Sequence, residues 1–257
     1  MRKLYDRDDI YDLMENSEKD AVTRKHFELV FQNKAIHSLL DVSIGTGSMT
    51  LPIADLGIKL FGSDLSQPML DRCQKKCEAR NISITLKHSD FRKVSGVFED
   101  QFDCVTSTGN SLGYVSNSDV LATLEQMNTL VKEGGYLYFD LRNWDLILRK
   151  KPRYYLYNPT FINDIRVNLV QFWDYQANQT IDFNLLYTFE KDNRIIQHEH
   201  FVEHYTPVRY QLLIDKLTSL GYQDIQTMRL PTQFGPFDPD KTDWYCVIAR
   251  KPLKNCI

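Results

Sequence analysis

Apolar positions along the chain follow two periods in turn. Leu39, Leu40, Val42 and Ile44 form a short run that breaks at Gly45-Thr46-Gly47; a helix-like segment follows over residues 48–56, and a second apolar run closes on Asp64. Strand and helix then keep alternating. The pattern predicts a helix over residues 66–80 with Ser66 as its cap and Pro68 in its first turn, and strands over 82–86 and 102–106. Next come a helix over 119–131, capped by Ser118 and stopped by Gly134-Gly135, and a strand over 136–141. Beyond residue 165 the period becomes two. Alternating runs over 166–175, 180–190 and 195–205, broken at Ala177-Asn178-Gln179 and Lys191-Asp192-Asn193, predict antiparallel strands joined by tight turns. A helix over 208–220 stopped by Gly221, and strands over 225–230 and 244–250, end the series. Residues 5–32 carry helical spacing at Ile10, Leu13, Met14, Phe27, Val30 and Phe31.

Such an order predicts an α/β sheet interrupted by an antiparallel β insertion. Its parts would be a helical lid over residues 1–35, a core from 36–150 and 206–257, and a cap over 151–205 that covers the sheet's ligand side. With 257 residues, 42% hydrophobic and 25% charged, one such domain can be filled. The net charge of −3, without a long basic run, argues against nucleic acid or an anionic membrane as the main partner. Arg149, Lys150, Lys151 and Arg153 form the one basic cluster and read as a solvated helix end. Five cysteines (Cys73, Cys77, Cys104, Cys246, Cys256) lack the dense spacing of a disulfide framework, and neither a signal peptide nor a membrane-spanning run is present. A cytoplasmic location is expected.

The glycine turn carries the first chemistry. Glycines let the chain leave the strand sharply and bring peptide N–H groups close to an anionic ligand, and Asp64, about twenty residues on, stands where an acid accepts the hydroxyls of a ribose. A dinucleotide fingerprint would place a third glycine where Thr50 stands, so a nicotinamide cofactor is the minority reading. Asp90-Phe91, after the third strand, could hold an adenine amine and ring, or Asp90 could cap the next turn. The polar loop from Ser107 to Tyr114 and the run Arg142-Asn143-Trp144-Asp145 both follow strands and so should face the ligand. Arg142 could present its fork to a carboxylate or pair with Asp140 or Asp145.

Asp41-x-Ser43-x-Gly45-x-Gly47 resembles the first motif of class I S-adenosylmethionine-dependent methyltransferases, with Ser43 where glycine is more usual. Thr108-Gly109-Asn110-Ser111-Leu112 and Asp140-Leu141-Arg142-Asn143-Trp144-Asp145 are similar to loops of glycine N-methyltransferase, and a fainter similarity runs through Tyr155-Leu156-Tyr157-Asn158, Asp164-Ile165 and Glu203-His204-Tyr205-Thr206-Pro207. The resemblance implies a Rossmann-like class I sheet with a substrate cap and S-adenosylmethionine as cofactor. By position it implies that Tyr11, Arg24, Gly45, Thr46, Gly47, Asp64, Leu65, Met69, Asp90, Phe91 and Thr108 hold the cofactor. Asn110, Arg142 and Tyr205 would hold the substrate, with Asn110, Tyr11 and Tyr205 positioned for catalysis.

The activity expected is methyl transfer to the nitrogen of a small amine, an amino acid or another carboxylate-bearing amine. Transfer to oxygen, sulfur or carbon, or binding of the cofactor without turnover, are the alternatives. Departures at Ser43, Ile44 and Gln233-Phe234-Gly235-Pro236-Phe237 leave the substrate and a homo-oligomeric state open. Arg24 could equally make a surface ion pair, and the tyrosines of the lid could simply pack. His198, His200 and His204 share one strand face, opposite Glu199 and Glu203. Pocket lining or a solvated face is the reading for these histidines; no metal is expected, and His204 is a guess for a general base.

Overall fold

A computed structural model describes residues 4–253, so Cys256 lies outside the described residues. The strands are β1 (Ser38–Asp41), β2 (Lys59–Asp64), β3 (Ile84–His88), β4 (Phe102–Ser107), β5 (Val131–Arg142), β6 (Tyr154–Leu156), β7 (Thr160–Ile162), β8 (Ile165–Tyr175), β9 (Ile181–Lys191), β10 (Arg194–Tyr205), β11 (Gln223–Arg229) and β12 (Trp244–Arg250). Seven of them form one sheet in the order β11-β12-β5-β4-β1-β2-β3, parallel except where β12 runs antiparallel to both neighbours. The order reverses between β1 and β4, which places a crevice at their carboxyl ends.

Helices α1 (Asp8–Tyr11), α2 (Ser17–Val30), α3 (Gln67–Arg80), α4 (Asn117–Leu130), α5 (Trp144–Lys150) and α6 (Tyr210–Ser219) surround the sheet. Alternate residues of each central strand enter different cores, so the sheet is buried on both faces. Leu39, Leu60, Cys104, Tyr138 and Ile248 pack with Phe27 and Val30 of α2, whereas Leu40, Val105, Phe139 and Val247 pack with Leu124 of α4 and Leu213 of α6. Among the described residues no helix is long and apolar enough to cross a membrane.

The second sheet runs β10-β9-β8-β6, with β7 also paired to β8. Its inner face is apolar at Val167, Leu169, Trp173, Phe183, Leu185, Tyr187 and Phe201, all buried in the same core as β5.

Predicted boundaries move by a few residues, and three of the differences have a clear local cause. The segment after the glycine turn is a chain of turns and then a 3-10 helix, Leu51–Leu56, with Pro52 in its first turn, not a helix from residue 48. The amino-terminal segment of helical spacing divides where Asn16 takes an extended conformation and accepts the Lys19 N–H, starting α2 afresh. Helix α4 begins two residues early, with Ser116 rather than Ser118 as its cap, and passes directly into β5, so Gly134-Gly135 lie inside a strand.

Candidate active site

The glycine turn leaves β1 at Asp41 and doubles back under two positive φ angles, +55° at Gly45 and +84° at Gly47. The two glycines serve different ends. A Cβ on Gly47 would come within 2.6 Å of Leu51 Cγ and 2.9 Å of Cys73 Sγ, so this residue permits close packing on buried neighbours. A Cβ on Gly45 would meet nothing within 4 Å, so this backbone fronts open space. Asp64, at the end of β2, folds back over the turn: Oδ2 accepts the Gly45 N–H at 2.8 Å and Oδ1 the Ser66 N–H at 2.9 Å. Each oxygen keeps capacity for a further donor. Leu65, next in the chain, leaves an apolar side chain 65% exposed beside it.

Asp41 and Asp140, both fully buried, anchor the loops. Asp41 accepts the Ser43 N–H, the Thr108 hydroxyl at 2.7 Å and the Thr50 hydroxyl. Asp140 accepts the Gly109 N–H at 2.8 Å and the Tyr138 hydroxyl at 3.4 Å. Burial raises both carboxyls above their ordinary range, Asp140 up to about 7. Beyond Gly109, Asn110 adopts a left-handed conformation and its Oδ1 accepts the Arg142 N–H at 3.1 Å. Its Nδ2, a buried donor, has no partner among the described residues.

Arg142 is 7% exposed, and among the described residues it makes no ion pair. Neither sequence-adjacent acid is available: Asp140 serves the Gly109 loop, and Asp145 pairs with Arg209 at 2.7 Å and takes the Tyr210 N–H. The guanidinium instead lies among rings, its carbon 4.6 Å from the centroid of Trp244, 5.2 Å from Trp173 and Phe183, and 5.7 Å from Tyr155. Rings on this scale stabilise a cation without neutralising it.

The amino-terminal segment closes the other side. Tyr5 lies 5.9 Å from Tyr11 and 5.4 Å from Tyr114; Tyr114 lies 4.5 Å from Tyr205, with their hydroxyls 2.5 Å apart. The segment is tied to the cap by Arg7–Glu199 at 3.2 Å, and to the core by Asp12–Arg72 at 3.1 Å and Glu15–Lys76 at 2.6 Å. Asp12 also accepts the Thr46 hydroxyl, joining the lid to the glycine turn. Burial raises the hydroxyl pKa of Tyr5, Tyr11, Tyr114 and Tyr205; the nearby Glu203 carboxylate pushes Tyr5, Tyr114 and Tyr205 further up, so these hydroxyls stay protonated.

A family model described as a methyltransferase domain matches residues 39–135, which hold the glycine turn, Asp64 and the Asn110 loop. A glycine/sarcosine N-methyltransferase from Aphanothece halophytica is 26% identical over 228 residues, 83% of this chain and 76% of that relative. A protein named as a methyltransferase from Geobacillus sp. (strain WCH70) is 36% identical over 106 residues, which is 41% of this chain and only 42% of its relative's length. The solved structure of S-adenosylmethionine-bound CalS10, an amino pentose methyltransferase from Micromonospora echinaspora, superimposes with a TM-score of 0.72 at 15% identity, over 98% of each chain. Residues 39–135 thus match a methyltransferase domain, and the chain resembles class I S-adenosylmethionine-dependent methyltransferases. Its fold is the Rossmann-like class I fold, and it resembles glycine N-methyltransferase.

The CalS10 structure holds S-adenosylmethionine, and the residues at this turn fit that cofactor. Gly45 fronts open space, Asp64 retains acceptor capacity for ribose hydroxyls, and Leu65 offers an uncovered apolar surface for a base.

The structure brings together Gly45, Gly47, Asp64 and Leu65 at the turn, and Asn110, Arg142 and Tyr205 beneath the cap. Other residues carried over by resemblance are engaged elsewhere. Arg24 pairs with Asp55 at 2.9 Å on the open surface, the ion-pair alternative for this residue. Asp90 caps the next turn through the Arg92 N–H and grips the Arg92 side chain, which lowers its carboxyl pKa; Phe91 packs half-buried on the core. Met69 is wholly buried, and the Thr46 and Thr108 hydroxyls are held by Asp12 and Asp41. His204 is 74% exposed and pairs with Asp182 at 2.6 Å on the outer face of the cap, where His200 meets Asn184, so the guess of His204 as a base fails on geometry.

Of the pocket residues, Gln171, Trp173, Phe183 and Trp244 have no motif to announce them, whereas Tyr155, Tyr157 and Glu203 lie in the stretches of fainter similarity. Tyr155, Trp173, Phe183 and Trp244 reach Arg142 from four different strands, and Tyr157, Gln171 and Glu203 supply polar groups on the same side. Glu203 had a legible signal: it shares strand parity with Phe201 and Tyr205, whose rings mark the inner face.

Proposed function

We propose that this protein transfers the methyl group of S-adenosylmethionine to the nitrogen of a small amine bearing a carboxylate. The observation that carries this reading is Arg142: a buried guanidinium, boxed by aromatic rings, that makes no ion pair among the described residues. A buried charge without a counter-ion is costly, and a ligand carboxylate supplies the missing anion with matched two-pronged geometry. Relatives named as glycine/sarcosine N-methyltransferases that align over most of this chain support nitrogen as the methylated atom.

The bound cofactor supplies an electrophilic methyl on a sulfonium. The chain supplies placement and dryness. Gly45, Gly47, Asp64 and Leu65 fix the cofactor on one side of the switch point. Arg142 clamps the acceptor's carboxylate on the other, and the unpaired Nδ2 of Asn110 donates between them. Held this way, the acceptor's nitrogen lone pair would face the methyl that the cofactor supplies, with Arg142 and Asn110 fixing the line of approach. Tyr5, Tyr11, Tyr114 and Tyr205 exclude water around that transfer. A neutral amine is already a nucleophile, so no strong base is required, and the excess proton leaves with the product ammonium.

Calorimetric titration with S-adenosylhomocysteine, then a panel of amines scored by a mass gain of one methyl, tests the reading. Binding with methylation of carboxylated amines is expected, and Arg142→Met should lower kcat/KM for them by about 100-fold or more while leaving cofactor binding in place. Binding without transfer to any amine would move the reading to another nucleophile or to a cofactor-binding protein without turnover; absence of binding would remove the cofactor site assigned above.

A further inference from the structure

We propose that Tyr157 is a specificity-determining residue of the acceptor subsite: its hydroxyl proton is donated to the acceptor's anionic group, and Gln171 and Trp173 set the direction of that proton. The proposal rests on the reading of Arg142 as the carboxylate clamp.

The direction follows from hydrogen-bond accounting. Trp173 Nε1 can only donate, and it lies 3.0 Å from Gln171 Oε1. The amide oxygen of Gln171 is therefore turned toward Trp173, which leaves its Nε2 to face the Tyr157 hydroxyl at 3.2 Å as a donor. Arg142 Nη2 approaches the same hydroxyl at 3.5 Å, and a guanidinium also only donates. A tyrosine hydroxyl has one proton and two lone pairs; both lone pairs face donors here. Its proton must then point away from Gln171 and Arg142, toward the space a ligand would take. Gln171 and Trp173 are 4% and 2% exposed, so water does not reorganise the pair, whereas Tyr157 is half-buried and borders the opening.

A ligand entering beside Arg142 consequently meets donors: the guanidinium fork, the Tyr157 hydroxyl and the unpaired Asn110 Nδ2. A planar carboxylate has two acceptor oxygens and no donor, so it can satisfy Arg142 and Tyr157 together. A carboxamide of the same shape would press its NH₂ against a donor, and the subsite discriminates against it through direction as well as charge. Gln171 and Trp173 are positioning residues acting through Tyr157, and the Trp173 ring also flanks Arg142.

The test uses the full-length protein with glycine, sarcosine and N,N-dimethylglycine, each beside its carboxamide, as acceptors. Tyr157→Phe is expected to lower kcat/KM for the carboxylates by about 10- to 100-fold, chiefly through KM, the usual worth of a hydrogen bond to a charged group, with the carboxamides unchanged. Trp173→Phe keeps the Tyr157 hydroxyl but frees Gln171 to turn over, and should show a several-fold loss of the same selectivity. S-adenosylhomocysteine binding at wild-type affinity in both variants controls for folding, with a single cooperative melt for each that is lowered in Trp173→Phe, where a buried ring shrinks. Equal losses for carboxylate and carboxamide, or no loss at all, would overturn the assignment of Tyr157. If the wild-type protein binds S-adenosylhomocysteine yet methylates none of the three carboxylates, the clamp reading falls and this inference falls with it.

Discussion

The two glycines of the cofactor turn should respond oppositely to the same substitution. Alanine at either position forces an L residue into the left-handed region, at about 1–2 kcal/mol. At Gly45 nothing lies within 4 Å of the new methyl, so that is the whole effect on the protein alone. At Gly47 the methyl would sit 2.6 Å from Leu51 Cγ and 2.9 Å from Cys73 Sγ. Both neighbours are buried and cannot swing into solvent, which adds about 1–3 kcal/mol of overpacking. For a chain of this size each kcal/mol moves Tm by about 2–4 °C, so Gly45→Ala should lose roughly 2–8 °C and Gly47→Ala roughly 4–20 °C. Ligand then reverses the ranking. A hundredfold excess of S-adenosylhomocysteine over its Kd stabilises a native protein by about 2.7 kcal/mol, a rise of roughly 5–11 °C. Wild type should show that rise, and Gly47→Ala should keep part of it. Gly45→Ala should show none, because its methyl stands in the space assigned to the cofactor. Thermal melts with and without ligand decide the matter: a full ligand shift in Gly45→Ala would refute the placement of the cofactor over this turn.

Asp64→Ala removes an acceptor that spans the turn and the ribose position, and is expected to weaken S-adenosylhomocysteine binding by about 30-fold or more, read by calorimetry. His26 and Asp140 should give opposite pH signatures. Burial raises Asp140 from an ordinary value of 3.8 up to about 7, so its contribution to stability is full below about pH 4 and is lost as pH rises to about 7; burial lowers His26 from 6.5 to about 4, so its contribution is present above about pH 6.5 and is lost on acidification. Denaturant midpoints between pH 5 and 6 should therefore give His26→Gln a more negative slope of stability against pH than wild type and Asp140→Asn a more positive one, each by up to about 1.4 kcal/mol per pH unit; slopes equal to wild type would contradict the burial argument.

What the sequence made legible was local. Strand, glycine turn, second strand and acid lie within thirty residues, and their spacing alone set the glycine turn and Asp64 at the ends of neighbouring strands. The cap strands were legible for the same reason: a period of two, with Asn178 and Asn193 marking the turns, located β8, β9 and β10 to within one or two residues of their ends. Where local signals compete, tertiary context decides. Gly134-Gly135 read as a helix stop, yet β5 needs those residues, since Gly134 N–H meets the Lys251 carbonyl and Gly135 accepts the Lys251 N–H beside the last strand. The pocket was least legible, because its rings come from β6, β8, β9 and β12 and meet only when two sheets pack. Arg24 shows the limit of carrying a role over by position: it has the required charge, but a partner in Asp55 that no motif reveals.

Perturbed acids commonly mark catalytic centres, and here they mark something else. Asp41 and Asp140 are the buried carboxyls at the carboxyl edge of the sheet, and each is spent on holding a loop: Asp41 on Ser43, Thr50 and Thr108, Asp140 on Gly109. A relay backs the second. His26 bridges Thr232, whose hydroxyl lies 2.8 Å from Nδ1, and the Tyr138 hydroxyl, 3.0 Å from Nε2, and Tyr138 donates to Asp140. The contacts end at Asp140, and Asp140 in turn fixes the backbone from which Asn110 reaches the acceptor. A reaction whose nucleophile is a neutral amine has no use for a strong base but depends on alignment, and in this fold the buried acids supply it by tying Asn110 and the glycine turn to adjacent strands.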